Sequence, residues 1–198
     1  MSETGVIKFH YQSDNREIAS FPGFKELNAA RGELRRLGLL GVDENGIGFG
    51  NISLRDGATD AFYITGSGTG AMPELTLHDY ARVVEWDFER NWLRCEGRTI
   101  ASAESLTHAA VYAMGREVCV VLHGHDRPLW ADLQKRGLGT RDIPYGTSEM
   151  ALEVERLFQE TEVGKKKIFA MSGHAGGIVA FGRDFGEALA ALPAPESN

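Results

Sequence analysis

Cysteine is nearly missing from this sequence: Cys95 and Cys119 are the only two among 198 residues, far apart and in no CxxC pair. That excludes a disulfide framework and a thiolate zinc site, so any metal must be held by imidazole and carboxylate. No apolar run reaches the roughly 18 residues a membrane span requires. The start, MSETGVIKFH, lacks a basic segment followed by an apolar one, so the expectation is a cytoplasmic protein with no membrane partner. Positive charge is also scarce. Against 28 acidic residues stand 21 basic ones, for a net −7, and the one basic run, Lys165 to Lys167, is short and has no interleaved aromatics. Nucleic acid is therefore not an expected partner.

What is present suits one packed unit. With 42% hydrophobic and 25% charged residues, the chain can bury a sizeable core, and a single domain over residues 1–192 is expected. The tail Pro193 to Asn198, rich in Pro, Ala and Ser, reads as disordered. No internal repeat or linker divides the rest.

Period-2 or continuous apolar runs near turn residues predict strands at Val6 to Tyr11, Ile52 to Arg55, Phe62 to Thr65, Val118 to His123, Lys167 to Met171 and Ile178 to Phe181. Helical periodicity predicts helices at Phe24 to Leu37, Ala103 to Met114 after a serine N-cap, Ser148 to Phe158 and Asp184 to Leu192. The stretch Val83 to Cys95 mixes both signals and is read as a hairpin around Glu89 to Asn91. Strands alternating with helices indicate a layered α/β domain.

In Val121-Leu122-His123-Gly124-His125 the two histidines stand two residues apart, so on a strand they share one face. That suits bidentate metal binding, and it equally suits two hydrogen-bonded histidines at a sheet end. Asp126 and Pro128 then turn the chain into a helix, a junction where open α/β folds place ligands. A third imidazole, His174, ends another apolar strand between glycines, whereas His10 and His78 have no partner in sequence and read as structural. Glu104 opens a helix after Ser102, where a carboxylate is favoured simply as a cap. His108 lies one turn on, placed either to orient Glu104 or to pack. Gly48-Phe49-Gly50-Asn51-Ile52-Ser53 and Thr65-Gly66-Ser67-Gly68-Thr69-Gly70 carry backbone N–H groups suited to an anion, or are tight turns between strands.

Taken in order, Gly50-Asn51-Ile52-Ser53, Thr65-Gly66-Ser67-Gly68, Ser102-Ala103-Glu104, His123-Gly124-His125 and Gly173-His174 resemble the class II aldolase/adducin family, from about Phe24 to Leu189. The resemblance implies a three-layer α/β/α fold with a central mainly antiparallel or mixed sheet. It implies a divalent metal, Zn²⁺ before others, on His123, His125 and His174, holding two oxygens of a small hydroxycarbonyl substrate, sugar phosphates included. The metal would stabilise the enediolate of a carbon–carbon lyase while Glu104 moves the proton. Asn51, Ser67, Gly68 and Ser102 would receive the substrate's distal anion, with the backbone donors of Ser67 and Gly68 kept although Gly66 replaces the family's proline. Ala103 stands where the family has a second serine and removes one hydroxyl. Tyr145, in Ile143-Pro144-Tyr145-Gly146, matches a structural segment. A decarboxylase, a dehydratase and a non-catalytic adducin-like module share the family, which is commonly homotetrameric.

Overall fold

The apolar runs assemble into one large sheet. In this computed structural model residues 7–43 and 46–193 are described; Val6 and residues 194–198, and with them all but the first residue of the expected tail, lie outside the described residues. The elements follow as β1 (His10–Asp14), α1 (Phe24–Arg36), β2 (Gly41–Val42), β3 (Gly48–Phe49), β4 (Asn51–Arg55), β5 (Phe62–Thr65), β6 (Tyr80–Asp87), β7 (Trp92–Gly97) and α2 (Ser105–Ala113). The second half comprises β8 (Val120–His125), α3 (Arg127–Lys135), α4 (Ser148–Glu160), α5 (Val163–Lys166), β9 (Ile168–Ala170), β10 (Gly177–Gly182) and α6 (Phe185–Ala190). Eight strands form the sheet in the order β1-β7-β6-β5-β4-β8-β10-β9, and β2 pairs with β3 alone. Every neighbour pair in the large sheet is antiparallel except β1 with β7.

Alternation along β4 sends Ser53 and Leu54 to opposite faces, and helices cover both. On the Leu54 face α1 packs on β4 and on α6, which in turn lies on β8 and β10. On the Ser53 face α2 packs on β6 and β8, reaches Ser53 through His108 and Tyr112, and carries α4 on its back. The result is the expected three-layer arrangement. The central strands are buried on both faces, with Ile52, Val121, Leu122 and Val179 sealed from solvent, which explains why their sequences run apolar without a break.

Most expected elements stand where the patterns put them, and the hairpin joins β6 to β7 through Asn91, whose left-handed φ of 48° closes the turn. Several ends differ by a residue or two, and three of the differences have a visible cause. The first strand is shifted from Val6–Tyr11 to His10–Asp14, because the parallel register with β7 matches His10 to Trp92 and Asp14 to Glu96. The fourth strand starts later and runs on to His125, since Gly177 and Ile178 of β10 pair with His125 and Gly124. The helix expected from Ala103 begins at Ser105; Ser102 is not its N-cap, and Glu104 occupies that position without using its side chain as a cap.

Arg55 ties the Ser53 layer together. Almost fully buried, it donates to the carbonyls of Val118, Tyr112 and Gly115 at 2.7–3.0 Å and lies over the Tyr112 ring. Arg55→Leu would strand these carbonyls and should lower stability by about 3 kcal/mol. Urea unfolding should show a lower midpoint at an unchanged m-value.

Candidate metal centre and adjoining cleft

Both histidines of β8 point to the Ser53 face, as period-2 alternation requires. Gly124 between them has its own reason: a Cβ there would stand 2.9 Å from the Leu39 carbonyl, whose oxygen accepts the His125 N–H at 3.0 Å. His174 comes from the tight loop between β9 and β10, closed by Met171 N–H to Gly177 O and Gly177 N–H to His174 O. A side chain at position 177 would collide with the His174 ring, its Cβ coming within 2.5 Å of Cδ2. Local glycine chemistry thus lays the third imidazole against the first two. Asp126 ends β8 by capping α3, accepting the Leu129 N–H at 2.9 Å, and Pro128 sits in the first turn.

One ring nitrogen from each of His123, His125 and His174 falls within 4.8 Å of the others. His123 is fully buried and its Nδ1 donates to the Ile178 carbonyl at 3.0 Å, which leaves the Nε2 lone pair facing the cluster. That Nε2 is 2.9 Å from Glu104 Oε1 yet off the direction of a hydrogen bond, so it remains an orphaned buried nitrogen. The Nε2 atoms of His125 and His174 stand 2.9 Å apart, a separation that needs a proton or a cation between them. Burial, with the nearby His123 and His174, pushes the His125 imidazole down to about 3, which keeps it in the neutral form a metal ligand requires. The donor set fits a divalent cation with an imidazole preference.

Glu104, 5% exposed, sits beside this cluster, with Oε1 also 3.2 Å from His174 Nε2. Burial alone would raise its carboxyl. The adjacent His123 and His174 more than offset this and hold it well below the usual carboxylate range. Glu104 Oε2 has no hydrogen-bond partner. The helix terminus therefore delivers the carboxylate to the histidines instead of capping itself.

His108 does not share that contact. It bonds Ser53 Oγ at 2.7 Å through Nδ1, Ser53 Oγ meets Tyr112 OH at 2.7 Å, and His108 Nε2 is unpartnered. Complete burial pushes this imidazole down to about 3.

The four expected substrate-contact residues, Asn51, Ser67, Gly68 and Ser102, all line one cleft together with Glu104 and His125. One expectation needs correction: the Ser67 N–H is not an open donor, because it is bonded to the Ile100 carbonyl at 2.9 Å. His78 instead pairs with exposed Glu17 at 2.9 Å, and His10 lies on the exposed edge strand, both away from the cluster. Two aromatic residues were not expected beside the histidines, Tyr145 having been read as part of a structural segment. Phe49 stacks on His125 at 4.8 Å, and the Tyr145 ring lies 4.6 Å from His174. Phe49 had a signal, an aromatic held between glycines just ahead of Asn51; Tyr145 had none that pointed to His174. Arg31 was also silent. It leaves α1 to donate to the Thr69 and Met72 carbonyls at 2.8 and 2.7 Å, bracing the cleft loop from behind.

A model of the class II aldolase and adducin N-terminal domain matches residues 34–196. Solved structures share the fold at low identity. L-fuculose 1-phosphate aldolase is 19% identical with a TM-score of 0.66, over 89% of this chain and 82% of that one. A sugar-phosphate aldolase from Thermotoga maritima is 17% identical with a TM-score of 0.58, over 83% and 86%. The N-terminal class II aldolase domain of a conserved protein from Thermoplasma acidophilum is 15% identical with a TM-score of 0.57, over 91% and 93%. Among curated proteins none matches in sequence.

A neutral buried imidazole makes stability depend on pH. Below about 6.5 the unfolded chain protonates His108, whereas the folded chain does not until about 3, so stability falls as pH drops through that window. His108 alone should contribute a slope of up to about 1.4 kcal/mol per pH unit. Chelator-treated His108→Asn should lose that part of the slope in urea titrations at pH 7, 6 and 5; an unchanged slope would count against the buried neutral form.

Proposed function

The chain belongs to the class II aldolase and adducin N-terminal domain family, and from that premise we propose that it is a metal-dependent carbon–carbon lyase of aldolase type, acting on a small hydroxycarbonyl compound. The observation that carries the reading is the buried Glu104 carboxylate, with one oxygen 2.9 and 3.2 Å from ring nitrogens of His123 and His174 and the other unpartnered.

In this reading His123, His125 and His174 hold the divalent ion, with zinc the best match to three imidazoles and no thiolate. When bound, the ion supplies Lewis-acid stabilisation of negative charge on substrate oxygens. Ile178 O fixes the His123 ring so that Nε2 stays unprotonated for that task. Glu104 Oε2, exposed to no competing donor, takes and returns the proton at the carbon beside the carbonyl. Asn51, Ser67, Gly68 and Ser102 orient the rest of the substrate in the cleft, and Phe49 over His125 keeps water from that side. A cytoplasmic homo-oligomer working on a small molecule completes the proposal.

Purified protein should carry one divalent ion per chain by elemental analysis, and His123→Ala should lose it. Glu104→Gln should keep the ion and drop turnover by at least about 100-fold, with aldehyde release from hydroxyketones and hydroxy acids as the assay. Full turnover in Glu104→Gln would remove its acid/base role, and release of CO₂ or water in place of an aldehyde would move the chain to the decarboxylase or dehydratase branch.

A further inference from the structure

One cation beside the imidazoles is unanswered. The sequence holds fifteen arginines, and fourteen of them form ion pairs with carboxylates or hydrogen bonds to main-chain carbonyls. Arg127 has neither with any described residue, in a chain of net charge −7. It is the exposed first residue of α3. Its neighbour Asp126 is committed to the helix cap, accepting the Leu129 N–H at 2.9 Å, and Glu104 Oε1 lies at His123 and His174. The Asp126 N–H donates to Gly176 O at 2.8 Å and draws that residue alongside. Gly176 has a left-handed φ of 83°, and a Cβ there would stand 3.3 Å from Arg127 Cγ and 3.9 Å from His125 Nδ1. The arginine stem thus lies against the loop that carries His174, with the His125 ring beside the same spot.

A guanidinium without a counter-charge, next to a place fitted to a divalent cation, repels that cation, and an anion that meets both charges reconciles them. The guanidinium suits a planar carboxylate, which accepts two parallel N–H bonds from it. Neither Arg127 nor Gly176 lines the cleft of Asn51, Ser67, Gly68 and Ser102, so the group at Arg127 is separate from the distal group placed there. Close to the metal ligands, it belongs on the carbon whose oxygen the metal holds. A carboxylate bonds directly to that carbon, whereas a phosphate ester stands off by at least one more carbon and an oxygen. We infer that Arg127 binds a carboxylate next to the metal-held oxygens, and that the substrate is a 2-oxo or 2-hydroxy acid. This rests on the metal-centre reading above and narrows the substrate class of that same site.

The test is calorimetric titration of the full-length, Co²⁺-loaded protein with pyruvate, hydroxyacetone and dihydroxyacetone phosphate. The first two differ only in carrying a carboxylate or a CH₂OH beside the carbonyl. Arg127→Gln should weaken pyruvate by about ten-fold or more and leave hydroxyacetone within about two-fold of the native protein, with Arg127→Lys falling between. Without any of these compounds, Arg127→Gln should hold Co²⁺ against a chelator no less tightly than the native protein, since the charge it loses is a repelling one. Undiminished pyruvate binding by Arg127→Gln, an equal loss of hydroxyacetone, or a loss of dihydroxyacetone phosphate as large as that of pyruvate would each overturn the inference. So would native Co²⁺-loaded protein that binds no pyruvate, and so would weaker Co²⁺ retention by Arg127→Gln, which would make Arg127 a structural part of the centre. Failure of the native protein to take up Co²⁺ would instead overturn the metal centre.

Discussion

Strand β8 is hydrogen-bonded along both edges, to β4 on one side and to β10 on the other, and this double pairing governs the whole site. A strand held on two sides cannot slip by one residue without sending its entire inward set to the wrong face. His123 and His125 therefore hold their positions because Val121 and Leu122 beneath them are locked into the core. The same pairing brings Asn51 opposite His123 and Ile178 opposite Gly124, so that the cleft wall and the carbonyl that orients His123 are set by one register.

Around that strand, polar groups are buried in two separate arrangements. Behind the site His108, Ser53 and Tyr112 form a hydrogen-bonded chain of neutral groups, with Arg55 braced against it on main-chain carbonyls. Facing the cleft, Glu104 Oε2, His123 Nε2 and Asn51 Oδ1 are buried without partners. Buried polar atoms without partners cost stability, and the concentration of three of them beside one imidazole cluster marks a place fitted to an ion and a ligand. Glycines make the concentration possible. Positions 124 and 177 accept main chain and an imidazole ring at distances no Cβ permits.

Local pattern carried much of this. Periodicity located the central strands and most helices, because strands buried on both faces and amphipathic helices write their environment into residue order. Alternation alone placed His123 and His125 on one face, and the ordered motifs pointed to His174 and Glu104. Where the patterns misled, the cause was non-local. The edge strand β1 takes its register from β7, and the α2 terminus begins two residues later than periodicity suggested, with the Glu104 side chain turned to the histidines.

By itself, then, the order of residues determined the elements, the shared face of two histidines and the short list of groups able to do chemistry, since each follows from repeats of two or about 3.6 residues along the chain. Only tertiary structure decided which nitrogens converge, that the Ser67 N–H faces Ile100 instead of the cleft, that His108 bonds Ser53, and that Phe49 and Tyr145 flank the imidazoles. Those contacts join residues far apart in sequence, and no local repeat records the packing that brings them together.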